Sequence, residues 1–358
     1  MTICYRHLEE IRSMKSQTKL GLALSGGGAK GAYQAGIVKY LAEQNIQPDA
    51  VSGASIGSLN GAVVASAVNI KQAANDLEKV WLEVAEHSPL KVDPYAVVSA
   101  TLRLFVAATG GVKGRSAVQL LGAFAKFLPE EFQKYLSAPA FLDNSPTVDI
   151  LNRYARLGAE HTGLPFWLSA YQSDGAIEDL LGAVSATLGL SETKDSDFIH
   201  MNPLSTEDKR KALLASSAIP LAFEAQQIDG KKYYDGGLGG WNKSQGNTPV
   251  SPLVKNERCT HVIVTHLEDG SFWNRRDFDG VTFLEIRPTG IAREGLKDML
   301  MFDRATLLEW MEQGYNDTRQ SIGEVLDTLT VFKRQSENQK CLNQAAKSMS
   351  QSLDWLKD

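Results

Sequence analysis

Two uncharged, strand-length runs, each ending in glycines and each followed by a helix-like stretch, lie between residues 20 and 70 and limit the possible folds severely. The first, Leu20-Gly21-Leu22-Ala23-Leu24-Ser25, sits between Lys19 and the triplet Gly26-Gly27-Gly28 and has the length and apolar character of a buried strand. Beyond Gly31, the residues Ala32, Ala35, Gly36, Val38, Tyr40 and Leu41 recur at helical intervals. The second run, Ala50-Val51-Ser52, leads into Gly53-Ala54-Ser55-Ile56-Gly57 and then a second helix. That helix would pack through Ile56, Leu59, Val63 and Ala67, with Gly57, Gly61 and Ala62 permitting close approach. Strand, turn and helix repeated in this way predict an α/β fold whose central sheet is mainly parallel and flanked by helices.

Both turns carry chemistry. Gly53-x-Ser55-x-Gly57 is the pattern of a sharp strand-to-helix elbow that leaves a serine exposed at its tip. The flanking glycines leave room where a Cβ would strike neighbouring backbone. The turn Gly26-Gly27-Gly28-Ala29-Lys30-Gly31 aims backbone N–H groups at one point with a helix dipole behind them, an arrangement that holds a phosphate or a transition-state oxyanion. Gly26-x-Gly28-x-x-Gly31 also satisfies the dinucleotide-binding pattern, with Asp49 at about the position of a ribose-binding acid. A P-loop is excluded, because Gly31 rather than Ser or Thr follows Lys30. Against the nucleotide reading, the second strand carries no acid at its end and runs straight into the serine elbow. A serine and an oxyanion-type loop on neighbouring strand ends suit acyl transfer.

A third element lies far downstream in Gln227-Ile228-Asp229-Gly230-Lys231-Lys232-Tyr233-Tyr234-Asp235-Gly236-Gly237. Asp229-Gly230 between two short runs predicts a type I′ hairpin whose returning strand ends at Asp235. That carboxylate either caps the turn or serves the serine as base or orienter.

In this order, Gly-Gly-Gly-Ala-Lys-Gly, Gly-Ala-Ser-Ile-Gly and Asp-Gly-Gly resemble the patatin-like phospholipase family. Ala215-Ser216-Ser217-Ala218-Ile219-Pro220 and Asn247-Thr248-Pro249-Val250 are similar to the family segments on either side of the aspartate. The resemblance spans roughly residues 18 to 265. It implies a three-layer fold and a Ser–Asp dyad without histidine, with Ser55 as nucleophile and Asp235 as base. It also implies an oxyanion hole from the loop of Gly26, Gly27, Gly28, Lys30 and Gly31 and an elbow framed by Gly53 and Gly57. No His/Cys/Asp cluster at ligand spacing calls for a metal, and no cofactor is expected. Lys30 stands where the family often has arginine, which keeps the positive charge.

An aspartate with its ordinary pKa near ~4 is a weak base toward a hydroxyl, so such a dyad requires a dry contact and strong oxyanion stabilisation. The competing arrangement is a Ser–Asp–His triad, in which the histidine follows the acid. Only His261 and His266 follow Asp235, on either side of Val262-Ile263-Val264, and a histidine at a strand end reads first as a polar surface residue.

At 358 residues the chain can bury a large core, and 43% hydrophobic with 22% charged residues is ordinary for a globular enzyme. A net charge of -5 argues against general nucleic-acid binding. Cys4, Cys259 and Cys341 have neither disulfide-framework nor zinc spacing, which suits a reducing compartment. Charges at Arg6, Glu9, Glu10, Arg12 and Lys15 leave no secretory apolar segment near residue 1, so the expectation is a cytoplasmic protein that meets membranes from the side.

Lys71 to Glu86 predicts an amphipathic helix with Leu77, Val80, Trp81 and Val84 on one face. Residues 88–165 read as a helical insertion whose apolar stretches, Val97 to Ala108 and Val118 to Leu128, form either helical core or a lid and acyl-chain pocket. Thr147 to Ala159 predicts a helix, Trp167 to Tyr171 a core strand, Ser191 to Ser205 a loop, and Leu284 to Pro288 an edge strand. Helices follow between residues 290 and 332, closing a single catalytic domain over 1–332, and 333–358 reads as a polar tail. The resemblance implies an acyl hydrolase of phospholipase A or lysophospholipase type, acting on membrane phospholipid or lysophospholipid through transient membrane contact. The alternative is an effector or defence phospholipase switched on by a partner or small molecule, suggested by the region beyond residue 290.

Overall fold

The computed structural model describes residues 18–86, 145–158, 163–187, 189–218, 223–268, 273–289 and 302–323. Among these, eight strands form one sheet: β1 (Leu20–Leu24), β2 (Ala50–Gly53), β3 (Phe166–Gln172), β4 (Asp197–His200), β5 (Gln226–Ile228), β6 (Lys231–Asp235), β7 (His261–Thr265) and β8 (Thr282–Ile286). Successive pairing runs β5-β6-β3-β2-β1-β7-β8, with β4 also on β3. The β3–β2, β2–β1, β1–β7 and β7–β8 pairs are parallel, and the β4 and hairpin pairings are antiparallel. This is the mainly parallel α/β sheet expected. The chain leaves β1 toward β2 on one side and returns as β7 on the other, which makes the C-terminal end of β1 a topological switch point, where open sheets form their clefts.

The period of two along β1 sends alternate residues to two different cores. Leu22 and Leu24, with Val51 and Ile263, join the large core beneath helices α1 (Gly31–Glu43), α2 (Ile56–Ser66) and α3 (Ile70–Glu86). Ala23, Ala50, Val262 and Val264 face a smaller core with Val250, Leu253 and Trp273. Three layers result. Helix α2 is buried almost all round, which explains an uncharged run from Val51 to Ile70 in a chain of ordinary composition. Helix α3 buries Leu77, Val80 and Trp81 as its pattern predicts.

Other expectations shift. The helix placed at Thr147 to Ala159 runs Ser145–Tyr154, joined to α3 by an ion pair from Arg153 to Glu83, and just beyond its end Arg156 pairs with Asp76. The stretch Ser191 to Ser205 is not all loop, because Asp197–His200 pairs with β3 as β4. Four residues are too few for a period to show in sequence, and it is the pairing edge of β3 that makes them a strand. The edge strand at Leu284 starts two residues earlier, at Thr282. Most of the proposed insertion (88–144 of 88–165), residues 290–301 and the tail from 324 lie outside the described residues. No helix among the described residues is long and apolar enough to cross a membrane.

Residues 304–323 are helical and cross α1 at two glycines. A Cβ on Gly36 would strike the Met311 carbonyl, and one on Gly314 would strike the Tyr33 carbonyl. Beside this crossing, Asp317 accepts hydrogen bonds from Tyr33 Oη at 2.9 Å and from the Thr289 hydroxyl at 2.6 Å. Gly36→Ala therefore forces the helices apart and is expected to cost about 1–3 kcal/mol of stability in a denaturant titration, despite alanine's better helix propensity.

Candidate active site

Strand β2 ends at Gly53, and Ser55 turns the chain into α2 with φ 52° and ψ −129°, a left-handed conformation uncommon outside glycine. Several bonds impose it. Ala54 N donates to the Leu24 carbonyl at 3.0 Å, Ser55 N to Ser216 Oγ at 3.2 Å, and Ser58 Oγ to the Ser55 carbonyl at 2.6 Å. Gly53 and Gly57 make the elbow sterically possible, because a Cβ on Gly53 would strike the Gly57 carbonyl and one on Gly57 would strike the carbonyls of Leu24 and Ser25. The surrounding contacts hold this strained conformation in place.

Asp235 reaches the same place by a different route. The hairpin is of the expected type, with Asp229 at φ 47° and Gly230 at φ 78°. Along β3, Leu168 pairs with Gly53 and Ile199, whereas Ala170 pairs with Asp235 and Asp197. Since β4 occupies one edge of β3 from Trp167 to Ala170, β2 and β6 share the other edge and meet there end to end. Their last residues, Gly53 and Asp235, lie opposite β3 residues two apart, and this brings Ser55 and the carboxylate together. The Asp235 N–H donates to the Ala218 carbonyl at 2.8 Å, and its Oδ1 accepts from Gly237 N at 2.8 Å. Burial pushes the Asp235 carboxyl up to about 6, while hydrogen bonding from Ser55 and Gly237 pulls the other way.

The glycine loop after β1 completes the arrangement. Gly26 lies against Ser55, such that a Cβ on it would come 2.8 Å from the Ser55 Cβ. Its N–H, however, donates to Asn247 Oδ1 at 3.2 Å, which corrects the expectation that all three glycines supply free donors. Among the described residues nothing accepts from the N–H of Gly27 or Gly28, so these two are the open donors. Gly28 takes φ 60° to turn the loop.

Beneath the loop runs a buried amide chain. Gln34 Nε2 donates to the Ser25 carbonyl at 2.8 Å, Asn60 Nδ2 to the Gly31 carbonyl and to Gln34 Oε1, both at 2.9 Å, and Trp81 Nε1 to Asn60 Oδ1 at 3.1 Å. Both ends of the loop are thereby fixed to groups sealed from water. Gln34 and Asn60 carry no signal in the sequence beyond being polar on apolar helices, whereas Ser216 lies in the segment Ala215–Pro220 that carries part of the family resemblance.

The sequence model of the patatin-like phospholipase family matches residues 22–242, more than half of the chain. The chain belongs to the patatin-like phospholipase family. The family match ends before β7 and β8, although β7 pairs with β1 and borders the glycine loop: a Cβ on Gly27 would lie 2.8 Å from Leu267. Shorter stretches resemble "Lysophospholipase nte1" of Aspergillus terreus, 45% identical over 69 residues (17% of this chain, 4% of the relative). Patatin-like phospholipase domain-containing protein 6 of Homo sapiens is 41% identical over 70 residues (19% and 5%). The chain thus covers about a twentieth of the length of the curated relatives it matches. Among solved structures, VipD from Legionella pneumophila aligns over 86% of this chain and 67% of its own, at 12% identity and TM-score 0.39. The type III effector ExoU aligns over 86% and 53%, at 13% identity and TM-score 0.33.

Lys30 and Gly31 stand at the loop but serve other ends. The buried Lys30 ammonium pairs with Glu268 at 3.6 Å, and Gly31 is a packing position, since a Cβ there would come 2.5 Å from Ile56 and 2.7 Å from Trp81. The rival readings separate equally clearly. Asp49 receives the Leu20 N–H at 2.7 Å, at the N-terminal end of β1 and therefore at the far edge of the sheet from the glycine loop, where no ribose bound at that loop would reach it. His261 opens β7 at that same far edge and meets Thr260 Oγ1 at 3.0 Å. His266 is not the surface residue expected: it is fully buried, and its Nε2 meets Glu285 Oε2 at 3.1 Å. Burial lowers the pKa of this imidazole, whereas its hydrogen bond, with Trp273 and Arg287, holds Glu285 down at about 2. Among the described residues, no histidine hydrogen-bonds to Ser55 or Asp235.

Proposed function

We propose that this patatin-like protein is a serine acyl hydrolase that cleaves fatty-acyl esters of membrane phospholipids or lysophospholipids through a Ser55–Asp235 dyad. The observation that carries the reading is the meeting of β2 and β6 on one edge of β3, which sets a buried carboxylate beside a strained serine, with two N–H groups nearby that have no acceptor among the described residues.

The chemistry follows from those positions. Ser55 Oγ attacks the ester carbonyl carbon as its proton passes to the Asp235 carboxylate. The carbonyl oxygen becomes an oxyanion held by the Gly27 and Gly28 N–H groups and by the positive ends of α1 and α2. Collapse breaks the bond to the alcohol oxygen, and Asp235 returns the proton to that leaving group. Water then attacks the acyl-enzyme and gives a proton to Asp235, which reprotonates Ser55 as the fatty acid departs. The raised pKa of Asp235 makes it a better base than an exposed carboxylate, at the cost of being protonated below about pH 6. A lipid covering the site removes water and strengthens each of these interactions. Action from the membrane surface, by a chain that otherwise stays in the cytoplasm, is part of this proposal.

Mixed phospholipid vesicles with fatty-acid release read by mass spectrometry test the assignment. Ser55→Ala is expected to lower release by about 10³-fold or more with the fold intact. Turnover in that variant above a tenth of wild type would exclude Ser55 as the nucleophile.

A further inference from the structure

We propose that Asn247 is the positioning residue of the oxyanion loop: by taking the Gly26 N–H it points Gly27 and Gly28, and only these, at the reacting carbonyl. The proposal rests on the Ser55–Asp235 reading. Asn247 Oδ1 accepts the Gly26 N–H at 3.2 Å, and the same oxygen would stand 3.1 Å from a Cβ on Gly237, as would Asp235 Oδ1. One amide oxygen therefore touches both the loop after β1 and the turn after the acid.

Asn247 is itself held firmly. The segment from Gly236 to Gly246 leaves Asp235 and returns to Asn247, and its course is fixed against residues 194–196, just before β4. Ser196 Oγ donates to the Gly236 carbonyl at 2.7 Å, Ser196 and Gln245 exchange bonds at 2.9 and 3.1 Å, and Gly240 N donates to the Lys194 carbonyl at 3.0 Å. The acid and the amide are thus two ends of one braced strap. The choice of an amide has a physical reason. A carboxylate would accept the Gly26 N–H equally well but would add negative charge beside Asp235 and beside the developing oxyanion. An apolar side chain would leave the N–H without an acceptor and the loop free to swing.

The test compares wild type, Asn247→Ala, Asn247→Asp and Ser55→Ala by turnover of a soluble p-nitrophenyl ester across pH, with hydrogen exchange at the Gly26 amide. For Asn247→Ala the expected result is faster exchange at Gly26 and kcat lower by about 10- to 100-fold, with KM within about threefold. For Asn247→Asp, exchange protection stays while kcat falls and the acid limb of the pH profile moves above its wild-type position near about 6. Wild-type kcat in the alanine variant, or an unmoved acid limb and restored kcat in the aspartate variant, would reduce Asn247 to a packing role and overturn the proposal. An active Ser55→Ala variant would overturn the hydrolase reading instead, with Gly26 exchange still reporting the hydrogen bond.

Discussion

Asp235→Asn is expected to lower turnover by about 10³-fold or more and, at pH 8, to make the protein more stable than wild type. The first effect follows because an amide cannot take the Ser55 proton, even though it keeps an oxygen for the Gly237 N–H. The second follows from the direction of the pKa shift. Asp235 is raised from 3.8 to about 6 by burial, so the folded chain holds this proton more tightly than the unfolded chain does. Ionising the group therefore destabilises the fold, beginning near the unfolded value and reaching the full extent above the folded one. A shift of that size corresponds to roughly 3 kcal/mol at most, of which the neutral asparagine avoids some or all. Denaturant midpoints at pH 8 and at pH 4 measure it: the gain should be present at the former and shrink at the latter. The wild-type profile of kcat/KM should show an acid limb near about 6, absent from the residual rate of the variant. Equal stability of the two proteins at pH 8 would mean that the carboxylate is better solvated than its burial implies.

Gly57→Ala should instead lower activity and stability together. Gly57 is the last residue of the elbow pentapeptide, and its Cα faces the backbone at the end of β1, where a methyl would strike the carbonyls of Leu24 and Ser25. Backbone cannot rotate out of the way as a side chain can, so α2 must shift and take Ser55 with it. The displacement opens the hydrogen bond from Ala54 N to Leu24 O and removes the close approach of Gly26 to Ser55. A cost of about 2–4 kcal/mol and a loss of at least about 10²-fold in kcat are expected, the latter because misplacement of about an ångström is enough. Thermal melts and single-turnover acylation by an activated ester read the two effects. A variant that melts like wild type would show that the elbow has room that its geometry denies. Set beside Asp235→Asn, the pair separates chemistry from architecture: one change removes a costly functional charge, the other a required void.

Features legible in the chain are those whose physics is local. A strand run followed by glycines and a helical period declares a strand–turn–helix unit whatever lies around it, and β1, α1, β2 and α2 appear where that pattern puts them. Asp229-Gly230 specifies its own turn because both residues must adopt positive φ, and few residue pairs do so readily. Ser55 is marked by the same logic, since glycines at both flanks have no purpose unless backbone passes close to them. Where no local rule acted, reading failed: β4 is only Asp197–His200 and exists through its partner, and His266 looked like a surface residue because burial leaves no mark on a single side chain.

Residue types and spacing alone thus determined that the chain has a serine elbow, a glycine loop before it and a hairpin-borne aspartate after it. That these three occupy one place was decided by tertiary structure. Residues 53 and 235 are joined only because β2 and β6 abut on one edge of β3, and no sequence period encodes an edge shared by strands so far apart. The same holds for the loop's donors. Three consecutive glycines look equivalent in sequence, and the amide of Asn247, brought back by a long excursion of the chain, distinguishes Gly26 from the two whose N–H groups have no acceptor among the described residues. Backbone conformation is set by neighbours within a few residues, whereas pairing, burial and hydrogen-bond satisfaction depend on which distant surfaces the packed core brings into contact.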